Sequence, residues 1–185
     1  MITLLLLAAL APAPAAPLTL EAARASTLAR WQGQLEYRDY QADKWFGLPV
    51  TVAITDGGDG VTQLRTADFD DGPQNLPSKA SGIVRITSVS LLDPVKATEY
   101  STSFRKARVP DLQTASLALT AARDPRHWTL VETITGTDDN RPAALRLTTV
   151  RDGDTMVTLK EVDFTDDAKV EWLARNRTTL KRVAK

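Results

Sequence analysis

The chain has 185 residues, in which 23 lysines and arginines balance 23 aspartates and glutamates, and it contains no cysteine. Balanced charge argues against nucleic acid as the main partner, because a phosphate backbone is held by a basic patch. The missing cysteine excludes disulfides, a thiolate nucleophile and thiolate metal ligands. One domain is expected, since β-barrels often reach this length without dividing.

The N-terminal segment predicts export. Residues 1–10 are almost wholly apolar, and Ala13-Pro14-Ala15 fits the small-x-small pattern of a signal-peptidase site. The apolar run is too short to span a bilayer, which needs about 20 residues. We therefore predict a cleaved signal peptide over residues 1–15 and a periplasmic or extracellular protein. An uncleaved anchor is the alternative, because this segment has no lysine or arginine ahead of its apolar run.

Residues 16–30 predict a linker and one short helix. The stretch from Leu18 to Arg30 is rich in alanine, contains no glycine or proline, and has Thr19 as a candidate N-cap. Its apolar stripe is narrow, so a separate helical core is not expected. We predict that the helix lies across one end of the remaining fold.

Residues 31–185 alternate in the manner of antiparallel strands. The clearest stretch runs from Trp128 to Phe164, where three extended runs are separated by Asp/Asn/Gly turns. The same alternation, followed along the rest of the chain, gives ten strands in total. It predicts an all-β fold, an antiparallel up-and-down meander that closes into a barrel. Strand three has an ambiguous inner face, because Leu64 and Phe69 have opposite parity. The last run, residues 170–183, is predicted as a strand, with a helix over residues 171–175 as the alternative.

The short helix, Trp31-Gln32-Gly33 in the first strand, the meander, and Arg175 and Arg177 near the end together resemble the calycin group. This group includes lipocalins, fatty-acid-binding proteins and related haem-binding barrels, and the chain is most similar to uncharacterised exported lipocalin-like proteins. The resemblance implies that Arg177 packs over Trp31 in a cation–π contact that closes the barrel. Two threonines follow Arg177 instead of the Arg-x-Tyr pair that anchors carboxylates in intracellular fatty-acid binders.

Glu132 is the main candidate for a binding site. Its position in the alternation places it on the face of Trp128 and Leu130, which is predicted to be internal. A buried carboxylate is costly unless it is paired, and the available cations are Arg146 and Lys160. One hypothesis is an internal charged site that orients the polar head of a ligand, with Tyr37 and Arg177 nearby. The alternatives are a structural ion-pair network or a surface glutamate.

Other features carry weaker signals. Trp45 and Phe46 form a predicted aromatic pair at the rim of the first hairpin, where they could gate a ligand or touch a membrane or partner. His127 is the only histidine and could ligate haem, but it directly follows a turn sequence. The aspartate clusters lack the spacing of a calcium loop. We therefore predict no catalytic residue, no metal site and no cofactor.

The leading functional hypothesis is an exported lipocalin-like barrel that binds a small, mainly apolar ligand non-covalently. The alternative is a filled barrel that acts as a structural or protein-interaction module of the cell envelope. An enzyme with Glu132 as its acid or base is a third and weaker hypothesis. A binding barrel should enclose a cavity of about 300 Å³ or more. The expected partners are thus a small hydrophobic ligand and no nucleic acid, with membrane contact but no spanning segment; the sequence indicates no oligomeric state.

Overall fold

The computed structural model describes residues 17–39, 44–71 and 82–184, so the predicted signal peptide lies outside the described residues. Within these ranges the chain forms one short helix and ten strands, and consecutive strands pair until the first meets the last in a closed barrel. The predicted all-β meander barrel is confirmed. The elements are α1 (Leu20–Ser26), β1 (Ala29–Asp39), β2 (Lys44–Asp56), β3 (Thr62–Asp70), β4 (Ile83–Asp93), β5 (Thr98–Arg105), β6 (Leu112–Asp124), β7 (His127–Asp138), β8 (Arg141–Asp152), β9 (Thr155–Phe164) and β10 (Leu173–Arg182).

The helix is shorter than predicted. Thr19 caps it, since its Oγ1 accepts a hydrogen bond of 3.2 Å from the N–H of Ala22. The helix ends at Ser26, and β1 begins at Ala29 because Ala29 and Arg30 already pair with β2. Ladder pairing thus overrides the local helix propensity of this segment. Among the described residues, no helix has the length and apolar content needed to cross a membrane.

The barrel closes between its first and last strands. Trp31 lies opposite Arg182 and Tyr37 opposite Asn176 in an antiparallel ladder. The final run is therefore the strand that the alternation predicts, and the helical alternative for residues 171–175 is wrong. Closure pairs both strands that would otherwise be exposed edges of the sheet.

Gly33 allows the closing strands to approach closely. A Cβ atom at this position would lie 1.9 Å from the carbonyl oxygen of Thr179 in β10. Any side chain would therefore collide with the backbone, which cannot move without disturbing the ladder. Glycine in a strand often marks such a close approach of two backbones.

The core consists of two buried clusters. The first cluster joins α1 to β4 and β6–β9, and the second joins β1–β3 to β9 and β10. The structure also settles the orientation of β3: Ala67 is buried, Arg65 faces the interior and Leu64 faces outward. The buried members of the two clusters are Ala23, Leu92, Ala115, Leu117, Trp128, Leu130, Ile134, Ala143, Leu145 and Val162 in the first, and Trp31, Leu35, Val50, Val52, Ile54, Ala67, Met156 and Leu180 in the second.

One end of the barrel, here called the helix end, is covered by α1. The indole N–H of Trp31 donates to the carbonyl of Thr27 at 2.8 Å, and the indole N–H of Trp128 donates to Ser26 Oγ at 3.1 Å. Arg151 Nη1 donates to the carbonyl of Ser26 at 2.8 Å, and its guanidinium lies 4.7 Å from the ring centre of Trp31. These contacts fix the end of the helix against both tryptophans.

The predicted contact between Arg177 and Trp31 is wrong. Arg177 lies directly opposite Glu36 on the outer face, where its Nε donates to Glu36 Oε2 at 2.8 Å. Its guanidinium is 5.2 Å from the ring centre of Trp45. Trp31 faces the interior, and side chains on opposite faces of a sheet cannot stack. The cation over Trp31 is Arg151, from β8.

Candidate functional site

The barrel contains a partly open internal cavity of about 370 Å³. Its lining changes around the circumference, because β3–β6 contribute mostly polar side chains and β7–β10 contribute most of the apolar ones. The polar wall consists of Gln63, Arg65, Ser88, Ser90, Ser101, Ser103 and Gln113, and the apolar wall consists of Trp128, Leu130, Ile134, Leu147, Met156 and Leu180.

The polar wall is built from two rows of paired residues. One row runs across four strands through Gln63, Ser90, Ser101 and Gln113. The next row contains Arg65, Ser88 and Ser103, and the two serine hydroxyls lie 2.8 Å apart. Strand alternation places these side chains on one inner face. The sequence analysis missed this wall, although the alternate serines at 88, 90, 101 and 103 were its visible signal.

Arg24 carries a charge from the helix into the barrel. It is buried, forms an ion pair with Glu99, and donates from Nη2 to Ser90 Oγ at 3.0 Å. Gln63 Nε2 donates to the carbonyl of Arg24 at 2.9 Å. Burial lowers the pKa of Arg24, and the nearby charge of Glu132 opposes that effect. The helix is therefore joined to the polar wall by a charge pair that is neutral overall.

Glu132 and Arg65 face the cavity without such partners. Within the part of the chain that the structure describes, neither side chain forms a hydrogen bond or an ion pair. Burial raises the pKa of Glu132, and the charges of Arg24 and Arg65 lower it by a smaller amount. Burial lowers the pKa of Arg65, and Glu132 partly offsets that effect. Two opposite charges thus influence each other across the cavity but do not meet.

The other predicted ligand contacts are separated by the fold. Lys160 lines the cavity, and its Nζ donates to Asp138 Oδ1 at 2.9 Å. Tyr37 shares the inner face of β1 but lies at the end opposite the helix and is 47% exposed. Burial raises the pKa of Tyr37, with a lowering effect from Arg105 and a smaller raising effect from Asp71.

The predicted pairing of Arg146 with Glu132 is wrong. Arg146 lies on the outer face of β8, where its Nε donates to Glu161 Oε2 at 2.8 Å and its guanidinium lies 4.2 Å from the ring centre of Trp172. Its sequence neighbours Leu145 and Leu147 occupy the interior instead. Arg146 therefore contributes to an ion pair on the outer face and does not take the position beside Glu132 that the sequence analysis predicted.

The aromatic pair Trp45 and Phe46 lies within β2, directly after its first residue, Lys44. Trp45 is 38% exposed and Phe46 is 57% exposed, at the end of the barrel opposite the helix. Trp45 already stacks against Arg177. Contact of this pair with a ligand, membrane or partner stays a prediction.

His127 belongs to the turn between β6 and β7. Its Nδ1 lies 2.8 Å from Asp124 Oδ1, and its Nε2 lies 3.4 Å from Asp152 Oδ1. Hydrogen bonds from Arg126 and His127 lower the pKa of Asp124 to about 2. The structure thus places the ring among turn carboxylates outside the cavity lining.

The fold and cavity define a closed ten-strand antiparallel barrel with charged groups inside, an architecture consistent with calycin-like barrels at this coarse level. No protein-family model matches the chain, and no curated protein matches it in sequence. Among solved structures it is similar to the crystal structure of Rv2717c from M. tuberculosis, with a TM-score of 0.59 and 12% identity. The alignment covers 90% of this chain and 99% of that one. At this identity the likeness shows the shared fold alone.

Proposed function

We propose that this protein is an exported barrel that binds a small molecule non-covalently in its internal cavity. The observation that carries the proposal is the unpaired state of Arg65 and Glu132, which face the same cavity. Buried charges without partners are costly, and a protein retains them where they meet something that the chain itself does not supply. A bound ligand with complementary polar groups would lower that cost.

The size of the cavity supports the proposal. A volume of about 370 Å³ lies at the small end of the range for ligand sites, about 300–1,000 Å³. Interiors that serve only packing contain few voids larger than a water molecule. The cavity therefore favours ligand binding over the alternative of a filled barrel that acts only as a structural or interaction module.

The lining favours an amphipathic ligand over the mainly apolar one that the sequence suggested. Serine hydroxyls and glutamine amides on the polar wall can orient polar groups, and the apolar wall can cover a hydrophobic body. A purely apolar molecule would leave Arg65 and Glu132 without partners and would shield them further from water. We therefore expect the ligand to contact both walls.

The export component of the proposal is supported by the apolar N-terminal segment and by Ala13-Pro14-Ala15. N-terminal sequencing of the protein recovered outside the cytoplasm of its own host is expected to begin at Ala16. Recovery of the intact N-terminus from the soluble cytoplasm would contradict export.

Native mass spectrometry of the protein purified from its own host tests binding. We expect a fraction with added mass that is released on denaturation. The double variant Arg65→Gln/Glu132→Gln should lose this mass while it keeps its melting temperature within a few degrees. If the wild-type protein carries no added mass and gains none from a host metabolite extract, the binding proposal is wrong.

A further inference from the structure

Most of the charged side chains that face the cavity have an oppositely charged partner in the structure. Arg24 is paired with Glu99, and Lys160 is bonded to Asp138, which Arg175 also contacts. Arg65 and Glu132 remain, and they are separated, so they balance in net charge without meeting. An ionised ligand that enters this space will disturb that balance, and the sign of its charge decides which group must respond.

Resting on the proposed function, we propose that the ligand is a compact organic carboxylate that binds Arg65 and that one proton from solvent is taken up by Glu132 on binding. The bound state then contains the ligand carboxylate, the Arg65 guanidinium and a neutral Glu132 carboxyl group. One proton enters with one anion, so the net charge of the cavity is unchanged. No covalent bond forms or breaks apart from the O–H bond on Glu132.

Arg65 is suited to a carboxylate. A guanidinium presents parallel N–H donors that match the two oxygens of a carboxylate, and no carboxylate of the described residues forms an ion pair with the guanidinium of Arg65. Ser88 lies directly opposite Arg65 in the ladder, and its hydroxyl is bonded to that of Ser103. These hydroxyls can add donors on the same wall. The apolar wall, with Leu130 and Ile134, faces the remainder of the ligand.

The cavity volume restricts the ligand to a compact acid. At about 370 Å³ the space is near the lower limit for ligand sites, and charged side chains at both the helix and the opposite end limit its length. An acid with one or two rings or a short branched chain fits this shape better than an extended acyl chain. This anchor on β3 also differs from the C-terminal Arg-x-Tyr pair, which this chain lacks.

Glu132 is the group placed to accept the proton. The ionisable side chains facing it are Arg24 from α1, Arg65 from β3, Glu99 from β5 and Lys160 from β9. Its ladder neighbours Leu117 and Leu147 do not titrate. Arg65 helps to keep Glu132 ionised, and an anion bound to Arg65 cancels that effect. The pKa of Glu132, which burial already raises, therefore rises further in the complex.

The test is calorimetric titration of the mature protein, without the predicted signal peptide, with benzoate, phenylacetate and indole-3-acetate, each compared with its uncharged amide. Titrations in two buffers that differ in ionisation enthalpy give the number of protons exchanged. We expect at least one acid to bind with uptake of about one proton in the pH range between the pKa of Glu132 in the free protein and its higher pKa in the complex. Its affinity should rise by up to about tenfold for each unit that the pH falls in that range. Binding of the amides should not change with pH.

Variants assign the two roles. Arg65→Gln should weaken binding of the acid by at least about tenfold and leave the amide unaffected, and Arg65→Lys, which keeps the charge without the planar fork, should bind the acid with intermediate affinity. Glu132→Gln should keep acid binding but remove proton uptake and the pH dependence. The matched control is Arg85→Gln, since Arg85 lies on the outer face of β4 and is bonded to Asp68. This control should behave as wild type.

The outcomes distinguish failure of the carboxylate inference from failure of the proposed binding function. If amides bind as tightly as acids at every pH, or if acids bind without proton uptake, the carboxylate inference is wrong while the proposed binding function stands. If no probe binds but the protein from its host carries added mass, the ligand belongs to another class and the inference is again wrong. If no probe binds and no added mass is found, the proposed function itself fails.

Discussion

The inner faces of β3–β6 and of β7–β10 follow the same alternation but differ in chemistry. The first carries serines, glutamines and Arg65, and the second carries most of the large apolar side chains that line the cavity. Both buried clusters include members from β9, whereas β5 contributes to neither. The residues of the polar wall therefore lie outside both buried clusters, and substitutions in the wall and in the clusters should affect different properties.

The largest effect is expected from Trp31→Ala, in the second buried cluster. Trp31 is 1% exposed, donates to Thr27 and stacks against Arg151. Truncation of a buried tryptophan costs about 3–5 kcal/mol in the free energy of unfolding. Urea denaturation measures the loss. Trp45→Ala on the outer face is the control and should cost no more than about 1 kcal/mol; equal losses would contradict the assignment of Trp31 to the core.

Gly33→Ala should have the next largest effect, because the new Cβ would lie 1.9 Å from the carbonyl oxygen of Thr179. Relief of this collision requires the closing ladder to shift, at a cost of about 1–3 kcal/mol in the free energy of unfolding. Gly136→Ala is the matched control, since its Cβ would meet nothing within 4 Å. Denaturant midpoints compare the two variants. If Gly33→Ala does not lower the midpoint, the backbones of β1 and β10 do not approach each other this closely.

Glu132→Gln should change how stability depends on pH. Burial raises the folded-state pKa of Glu132 above its ordinary value of 4.5, so the folded protein binds more protons than the unfolded chain in the range between these pKa values. Stability from this group is fully present below the unfolded pKa and is lost as pH rises through the folded pKa. Each tenfold increase in proton affinity corresponds to about 1.4 kcal/mol.

The free energy of unfolding of wild type relative to Glu132→Gln, measured by urea denaturation across pH, should therefore fall as the pH rises through that range. Glu171→Gln, in the exposed segment before β10, provides the control. It should give a difference from wild type that does not follow this profile. A difference between wild type and Glu132→Gln that grows on acidification would have the opposite sign and would show that Glu132 is stabilised as a carboxylate.

The smallest effect on stability is expected from the double variant Ser88→Ala/Ser103→Ala. In the wild-type protein the two serine hydroxyls are hydrogen-bonded to each other at 2.8 Å. Removal of both therefore leaves no unsatisfied partner behind. We expect a change below about 1 kcal/mol in denaturant unfolding, together with weaker binding of the native ligand. A stability loss comparable with that of Trp31→Ala would show that the polar wall stabilises the fold as much as the buried clusters do.

Much of the architecture follows from alternation alone. The alternation correctly predicts the ten strands and the internal position of Glu132. These succeed because a strand with one buried face repeats every two residues. The same rule places Arg146 on the outer face, since Leu145 and Leu147 are internal, and the need of Glu132 for a nearby cation does not change that orientation.

The rest of the site depends on contacts between distant strands. Arg24 lies on a helix with a narrow apolar stripe, and nothing in its neighbourhood indicates that it reaches Glu99. The resemblance to lipocalins implies a cation from the last strand over Trp31, whereas the cation comes from Arg151 in β8. The serine rows are not predicted because a pattern of apolar residues identifies a core but not a polar interior face.

The seam between β1 and β10 also has a consequence for synthesis of the protein. Residues near position 31 pair with β2 on one edge of the strand, but the partners of the other edge lie near position 182. That second edge of the first strand therefore leaves the ribosome long before its mate exists. Until then its pairing groups remain available to other chains, and non-local pairing of this kind slows folding. We expect nascent chains that stop before β10 to require a chaperone and to become resistant to protease only once that last strand has been made.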